Sequence, residues 1–142
     1  MSEKENAKLI ENVYEKLKTG DVESVLHLCA VDIEWELPEM DNVPFAGVWR
    51  GPDGVRDFFA KVFQLQNVIE FEPQQYFAQD NRVVVLGTFT MRLNSTGREF
   101  KSPCAHVWTL RHGGIARFYE YVDTALVTKA HTKALASATV RV

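Results

Sequence analysis

Two ionisable side chains, His106 and Glu120, stand on either side of His112-Gly113-Gly114 in the run CAHVWTLRHGGIARFYEYVD. The run reads as a β-hairpin, because two β-rich segments flank a glycine-containing turn. A three-residue loop opposes Trp108 with Phe118, His106 with Glu120 and Cys104 with Val122. Side chains alternate along a strand, so one face carries Phe100, Ser102, Cys104, His106, Trp108, Leu110, Ala116, Phe118, Glu120 and Val122. A two-residue loop would shift the register and set His106 against Tyr119. The first register separates polar from apolar better, and in it His106 and Glu120 are the strongly ionisable groups of an apolar wall.

Such a pair is expensive to bury and marks where function is sought first. Glu120 is either a general acid/base or a structural partner of His106 or Arg50. His106 could orient Glu120, donate to a developing enolate oxygen, or satisfy a core hydrogen bond. Trp35, Phe45, Trp49, Phe59, Phe89, Trp108 and Phe118, with Leu37, supply the walls of a candidate ligand pocket, which would suit a flat hydrophobic or aromatic compound. The alternative for these rings is a packed core, favoured for Phe58 and Phe63. Tyr14 reaches the pocket from the first helix or packs with its hydroxyl in water. No residues show metal-ligand spacing, no glycine-rich phosphate loop is present, and no Ser or Cys nucleophile has a recognisable context.

The elements that must position these groups follow from periodicity. Residues 3–19 have helical spacing at Ile10, Val13, Tyr14 and Leu17, with Gly20 as a stop. Asp21 caps a short helix at 22–29. Ile33, Trp35 and Leu37 alternate with glutamates in a strand at 32–37. Residues 38–51 read as an aromatic-bearing loop, and Pro52 opens a third helix reaching about residue 66. Strands follow near 70–78, 82–92, 99–110 and 115–123, with turns at Asp80-Asn81 and Asn94–Gly97. Residues 124–142 are partly helical, and 131–142 form a loose tail. Helices first and strands afterwards predict an α+β domain over 1–142, a curved antiparallel sheet wrapped around three N-terminal helices.

Composition bounds the function. The chain has 142 residues, 46% of them hydrophobic and 25% charged, which suffices for a real core. A net charge of −3 without a basic stripe disfavours nucleic acid. No apolar run spans a bilayer, so no membrane partner is expected. The N-terminal residues have a charged helix pattern rather than that of a signal peptide, and Cys29 and Cys104 offer no disulfide framework. A cytoplasmic protein with reduced thiols is expected.

The order helix, short helix, strand ending at Pro38, aromatic loop, GPDGVRDFF and four strands resembles the nuclear transport factor 2-like superfamily, an α+β cone of cystatin-like shape. The hairpin HVWTLRHGGIARFYEYVDTA resembles that of the SnoaL-like polyketide cyclases, over about residues 5–130. The resemblance implies a last-strand carboxylate acting as general acid/base, here Glu120 where the family has Asp, with His106 across from it. Ketosteroid isomerases of this superfamily differ. Their base position is Leu37 here, their oxyanion-hole tyrosine falls at about Val13 with Tyr14 one residue off, and their oxyanion-hole acid aligns with His106. The Asp–Arg–Asp set of the limonene-epoxide-hydrolase-like members is not evident. The resemblance also implies a homodimer through the outer sheet face, where Arg117, Tyr119, Tyr121 and Asp123 lie.

Two functions of different class fit. One is a cofactor-independent cyclase, isomerase or dehydratase acting by acid/base chemistry on a hydrophobic carbonyl compound. The other is a non-catalytic domain of the same fold that binds a ligand or a protein.

Overall fold

A computed structural model describes the chain from residue 2 to residue 140. Helix α1 spans Glu3–Lys18. The Ser2 hydroxyl accepts from the Glu5 N–H and the Glu5 carboxylate accepts from the Ser2 N–H, a reciprocal cap that uses two donors the first turn leaves idle. Helix α2 covers Val22–His27, with Asp21 accepting from the Ser24 N–H at 3.2 Å. Strand β1 is Cys29–Leu37 and β2 is Gly47–Arg50. Helix α3 runs Gly51–Leu65 with Pro52 in its first turn. Strands β3 (Gln66–Gln79), β4 (Arg82–Leu93), β5 (Glu99–Arg111) and β6 (Gly114–Val122) precede helix α4, Thr124–Val140.

The six strands form one curved open sheet in the order β2-β1-β6-β5-β4-β3. Every neighbouring pair is antiparallel except β1 and β6, which run parallel. The sheet is therefore mixed. Most of the chain separates β1 from β6, so a long crossover is available and a parallel pairing costs no tight turn. Register shifts in β3 at Val68/Glu70 and Pro73/Gln75 mark bulges. Bulges bend a strand and increase its twist, which lets the sheet wrap the helices. At the second of them Gly87 leaves no room for a side chain: a Cβ there would run into the Glu72 carbonyl oxygen.

The core lies between the concave face and the helices. Ile10 and Val13 of α1, Val25 and Leu26 of α2, and Val55, Phe58 and Val62 of α3 meet Ile33, Trp35, Val83, Val85, Trp108, Ile115 and Phe118 of the sheet. Among the described residues no helix is long and apolar enough to cross a membrane.

Several expectations change. Cys29 begins a strand instead of ending α2. The loop at 38–51 contains β2, whose Trp49 pairs with Trp35 across an antiparallel ladder. Phe63 is half-exposed on α3 rather than core. The segment expected to be loose from 131 is helical through Val140, with His131 and Ala134 buried; residues 141 and 142 lie outside the described residues.

The hairpin also closes differently. Arg111 pairs with Gly114, so the turn is the two residues His112 and Gly113, with φ of 51° and 75°. That is the left-handed pair a two-residue hairpin turn requires. A bulge between Thr109 and Leu110 of the ladder, absorbed at Ala116, then restores the longer-loop register, so that Thr109 faces Arg117 and His106 faces Glu120. Ile115 consequently replaces Ala116 on the buried face.

Candidate functional site

The His106–Glu120 pairing survives because the apolar face of the hairpin enforces it. Trp108 and Phe118 are both buried, and a one-residue slip would turn these rings out and bury Arg117. On that face the His106 Nε2 lies 2.6 Å from Glu120 Oε2. The His106 side chain is 7% exposed and that of Glu120 17%, so the carboxylate sits at the edge of the wall rather than sealed within it.

The other ring nitrogen is also held. His106 Nδ1 is 2.7 Å from the Tyr14 hydroxyl, and Trp108 Nε1 donates to that same hydroxyl at 2.9 Å. The indole N–H can only donate. With the Tyr14 oxygen accepting from it, the Tyr14 O–H is directed to His106 Nδ1, leaving the proton of a neutral imidazole on Nε2, donated to Glu120. This assignment leaves no donor idle: Trp108 to Tyr14, Tyr14 to His106, His106 to Glu120. Burial, the largest influence on Tyr14, pushes its pKa well above 10, so the phenol stays protonated and able to donate. Glu120 Oε1 has no hydrogen-bond partner among the described residues.

Aromatic rings clamp this chain of hydrogen bonds. Phe71 stacks on the His106 ring at 5.4 Å and 9°, and on Tyr14 at 5.0 Å and 17°. Phe118 meets His106 edge-on at 5.0 Å. Trp35 stacks on Phe118 at 4.1 Å and touches Trp108 and Phe59. The Trp35 indole N–H is buried without an acceptor among the described residues, an arrangement that typically costs about 1–3 kcal/mol. Tyr14 also lines an open surface groove between α1 and β3, with Leu9, Pro73 and Tyr76 among others; His106 and Glu120 do not line this groove.

Tyr14, Trp108 and Phe118 thus meet the His106 ring directly, Trp35 packs behind Trp108 and Phe118, and Phe59 packs behind Trp35. Phe45, Trp49 and Phe89 group elsewhere. Phe45 packs on Phe58 and on His131, Trp49 packs on Phe58 and donates from Nε1 to the Phe45 carbonyl at 3.0 Å, and Phe89 packs on Phe100. Leu37 is buried at the end of β1 opposite Gly47. Arg50 is exposed on β2, paired with Glu34 in the ladder, and Glu120 takes His106 as its partner.

Of the two placements expected for Tyr14, the hydroxyl takes the inward one, against His106. Two features escaped the sequence. Phe71 lies in an expected strand, and its alternation with Glu70 and Glu72 is the signal that it points inward. Cys104, His106 and Glu120 bring ligand-type atoms within 4.8 Å of one another. Sequence spacing hides that convergence, since it combines neighbours two apart on β5 with a cross-strand partner on β6. Burial pushes the Cys104 thiol up to about 12, with the Glu120 charge contributing.

The SnoaL-like domain family matches residues 10–118. An NTF2-like protein from Burkholderia xenovorans is similar at 31% identity and a TM-score of 0.82, over 92% of this chain and 98% of that one. An NTF2-like protein of unknown function from Burkholderia pseudomallei matches at 28% identity and a TM-score of 0.80, over 91% and 97%. TerC, co-crystallised with polyporic acid, matches at 27% identity and a TM-score of 0.76, over 89% and 98%. No curated protein matches the sequence. The chain belongs to the SnoaL-like domain family, with the nuclear transport factor 2-like fold.

Proposed function

We propose that the protein binds a small aromatic or enolisable carbonyl compound and moves a proton on it, as a cofactor-independent cyclase, isomerase or dehydratase would. The observation that carries this reading is the directed chain from Trp108 through Tyr14 and His106 to Glu120, which ends on a carboxylate with one oxygen held and the other free. Glu120 Oε1 is the base or acid, and His106 is a positioning residue that fixes the carboxylate and buffers its charge. A positioned acid/base of this kind contributes about 10²–10⁴-fold to rate. The unused Trp35 donor lies in the aromatic cluster around Phe118 and offers a hydrogen bond to a carbonyl or enolate oxygen. TerC supports the ligand class, since polyporic acid is an aromatic compound.

The test uses polyporic acid for binding, followed by tryptophan fluorescence, and a panel of cyclic 1,3-diketones and hydroxyquinones for protein-catalysed hydrogen–deuterium exchange in heavy water. Exchange that falls about 10²–10⁴-fold in Glu120→Gln, with ligand binding retained, is the expected result. Exchange that is unchanged in Glu120→Gln removes the carboxylate from the mechanism. Binding without exchange selects the second reading, a non-catalytic ligand-binding domain, which the buried apolar Leu37 at the isomerase base position favours.

The same reading takes the protein as a homodimer joined by its outer sheet face. Phe77, Val84, Val107 and Tyr119 follow one another across β3, β4, β5 and β6 on that face, and Phe77 and Tyr121 are more than half exposed.

A further inference from the structure

Cys104 takes no part in the proton chain just described, yet it shares the site. It precedes His106 by two residues on the same face of β5, and its sulfur, a His106 ring nitrogen and a Glu120 oxygen lie within 4.8 Å of one another. From this convergence we infer that Cys104, His106 and Glu120 form a zinc-binding site, with the fourth position open to water or a small ligand. The inference goes beyond the proton-transfer reading and concerns a second, metal-bound state, in which the hydrogen bond that reading rests on is replaced.

The donor set suits the ion. Zinc takes thiolate, imidazole and carboxylate in tetrahedral geometry, at about 2.3, 2.0–2.1 and 2.0–2.2 Å. Those bond lengths put the ligand atoms about 3.3–3.6 Å apart. His106 Nε2 and Glu120 Oε2, now at 2.6 Å, must open, and the sulfur must close in, for the three to share an ion. One thiolate and one carboxylate cancel the charge of a divalent ion, so its burial leaves no net charge on the apolar wall. All three ligands sit on adjacent paired strands, β5 and β6, where rigid backbone holds them.

A metal-bound histidine usually donates its other N–H to a fixed acceptor. When Nε2 binds zinc, the imidazole proton moves to Nδ1, and the Tyr14 hydroxyl, 2.7 Å away, turns its own proton aside and accepts it, reversing the hydrogen bond of the metal-free site. The proton balance is simple. Cys104 loses its thiol proton to solvent as sulfur binds, the imidazole keeps its single proton at the other nitrogen, and Glu120 enters as carboxylate. No oxidation change occurs. Zinc consumes Nε2 and the held carboxylate oxygen together, so metal binding and the His106-to-Glu120 hydrogen bond exclude each other.

The test is titration of the purified full chain with Co²⁺, a spectroscopic substitute for zinc, followed by competition with Zn²⁺. A sulfur-to-cobalt charge-transfer band saturating at one ion per chain is expected. It persists in Cys29→Ser, whose thiol is bound to the Val25 carbonyl away from the site, and vanishes in Cys104→Ser. Tyr14→Phe weakens Zn²⁺ binding about 10–100-fold, the usual cost of losing an outer-shell partner. No band, a band that survives in Cys104→Ser, or a band lost in Cys29→Ser overturns the site. Should Cys104→Ser fail to fold, X-ray absorption on the wild-type Zn²⁺ complex decides: one sulfur at about 2.3 Å supports the site, and none or two refute it. These readouts need no substrate, so their failure leaves the exchange experiment with Glu120→Gln untouched.

Discussion

The Tyr14 hydroxyl on the first helix meets His106 Nδ1 on the fifth strand at 2.7 Å, across most of the length of the chain. This contact sets which nitrogen of His106 carries the proton and hence what Glu120 receives. It also satisfies the Trp108 indole. Replacing Tyr14 with Phe keeps the ring stacked on Phe71 and removes the hydroxyl, leaving the buried Trp108 N–H and His106 Nδ1 without a partner. A loss of about 1–3 kcal/mol is expected, measured by urea unfolding. A Tyr14→Phe variant as stable as the parent would show that the hydroxyl bridges nothing in solution.

The hairpin turn makes its own demand. His112 and Gly113 both occupy the left-handed region, at φ of 51° and 75°. Gly113→Ala should cost about 1–2 kcal/mol, while His112→Asn should stabilise, since Asn-Gly suits this turn. Paired thermal melts check the opposite signs.

At Gly87 the constraint is space. An added methyl would meet the Glu72 carbonyl oxygen and the Pro73 Cα, both backbone atoms of β3 that cannot rotate away. Gly87→Ala should lose about 1–3 kcal/mol through overpacking. Equal unfolding midpoints for Gly87→Ala and wild type would mean the strands separate there at no cost.

His131 gives stability a pH dependence. It is buried against Phe45 and Phe100, with Nε2 3.1 Å from Gln66 Oε1, and burial holds its pKa below the usual 6.5. In the unfolded chain the imidazole takes up a proton near 6.5, while the folded protein resists doing so. The neutral-histidine contribution is therefore complete above that pH and is lost as pH falls from about 6.5 through the lower folded value. In His131→Gln this component of the slope should vanish, as read from urea midpoints at a series of pH values.

The outer face predicts an assembly. Val107→Lys puts a charge in the middle of the row Phe77, Val84, Val107 and Tyr119. Sedimentation equilibrium should find wild type as a dimer and the variant as a monomer; a monomeric wild type sinks the proposed interface.

Local chemistry made much of the fold legible. The cap at Asp21, Pro52 at the start of α3 and the alternation of Ile33, Trp35 and Leu37 each act within a few residues, so each can be read without knowing what packs beyond. Strand β2 was not legible, because Gly47–Arg50 is short and becomes a strand only by pairing with β1. The parallel pairing of β1 with β6 is likewise a relation between distant segments.

The hairpin shows the division most clearly. The alternation of apolar residues set His106 and Glu120 on one face, because a one-residue slip would turn Trp108 and Phe118 out of the core, and the short turn made the two direct partners. It did not determine how the chain achieves that register, by a two-residue turn and a bulge at Ala116, since a three-residue loop yields the same pairs beyond Thr109. Tertiary structure alone placed the Tyr14 hydroxyl against His106, stacked Phe71 over both and drew Cys104 into reach. Those contacts depend on the curvature of the sheet and the angle at which α1 crosses it, quantities set by the packing of the whole core and carried by no single stretch of sequence.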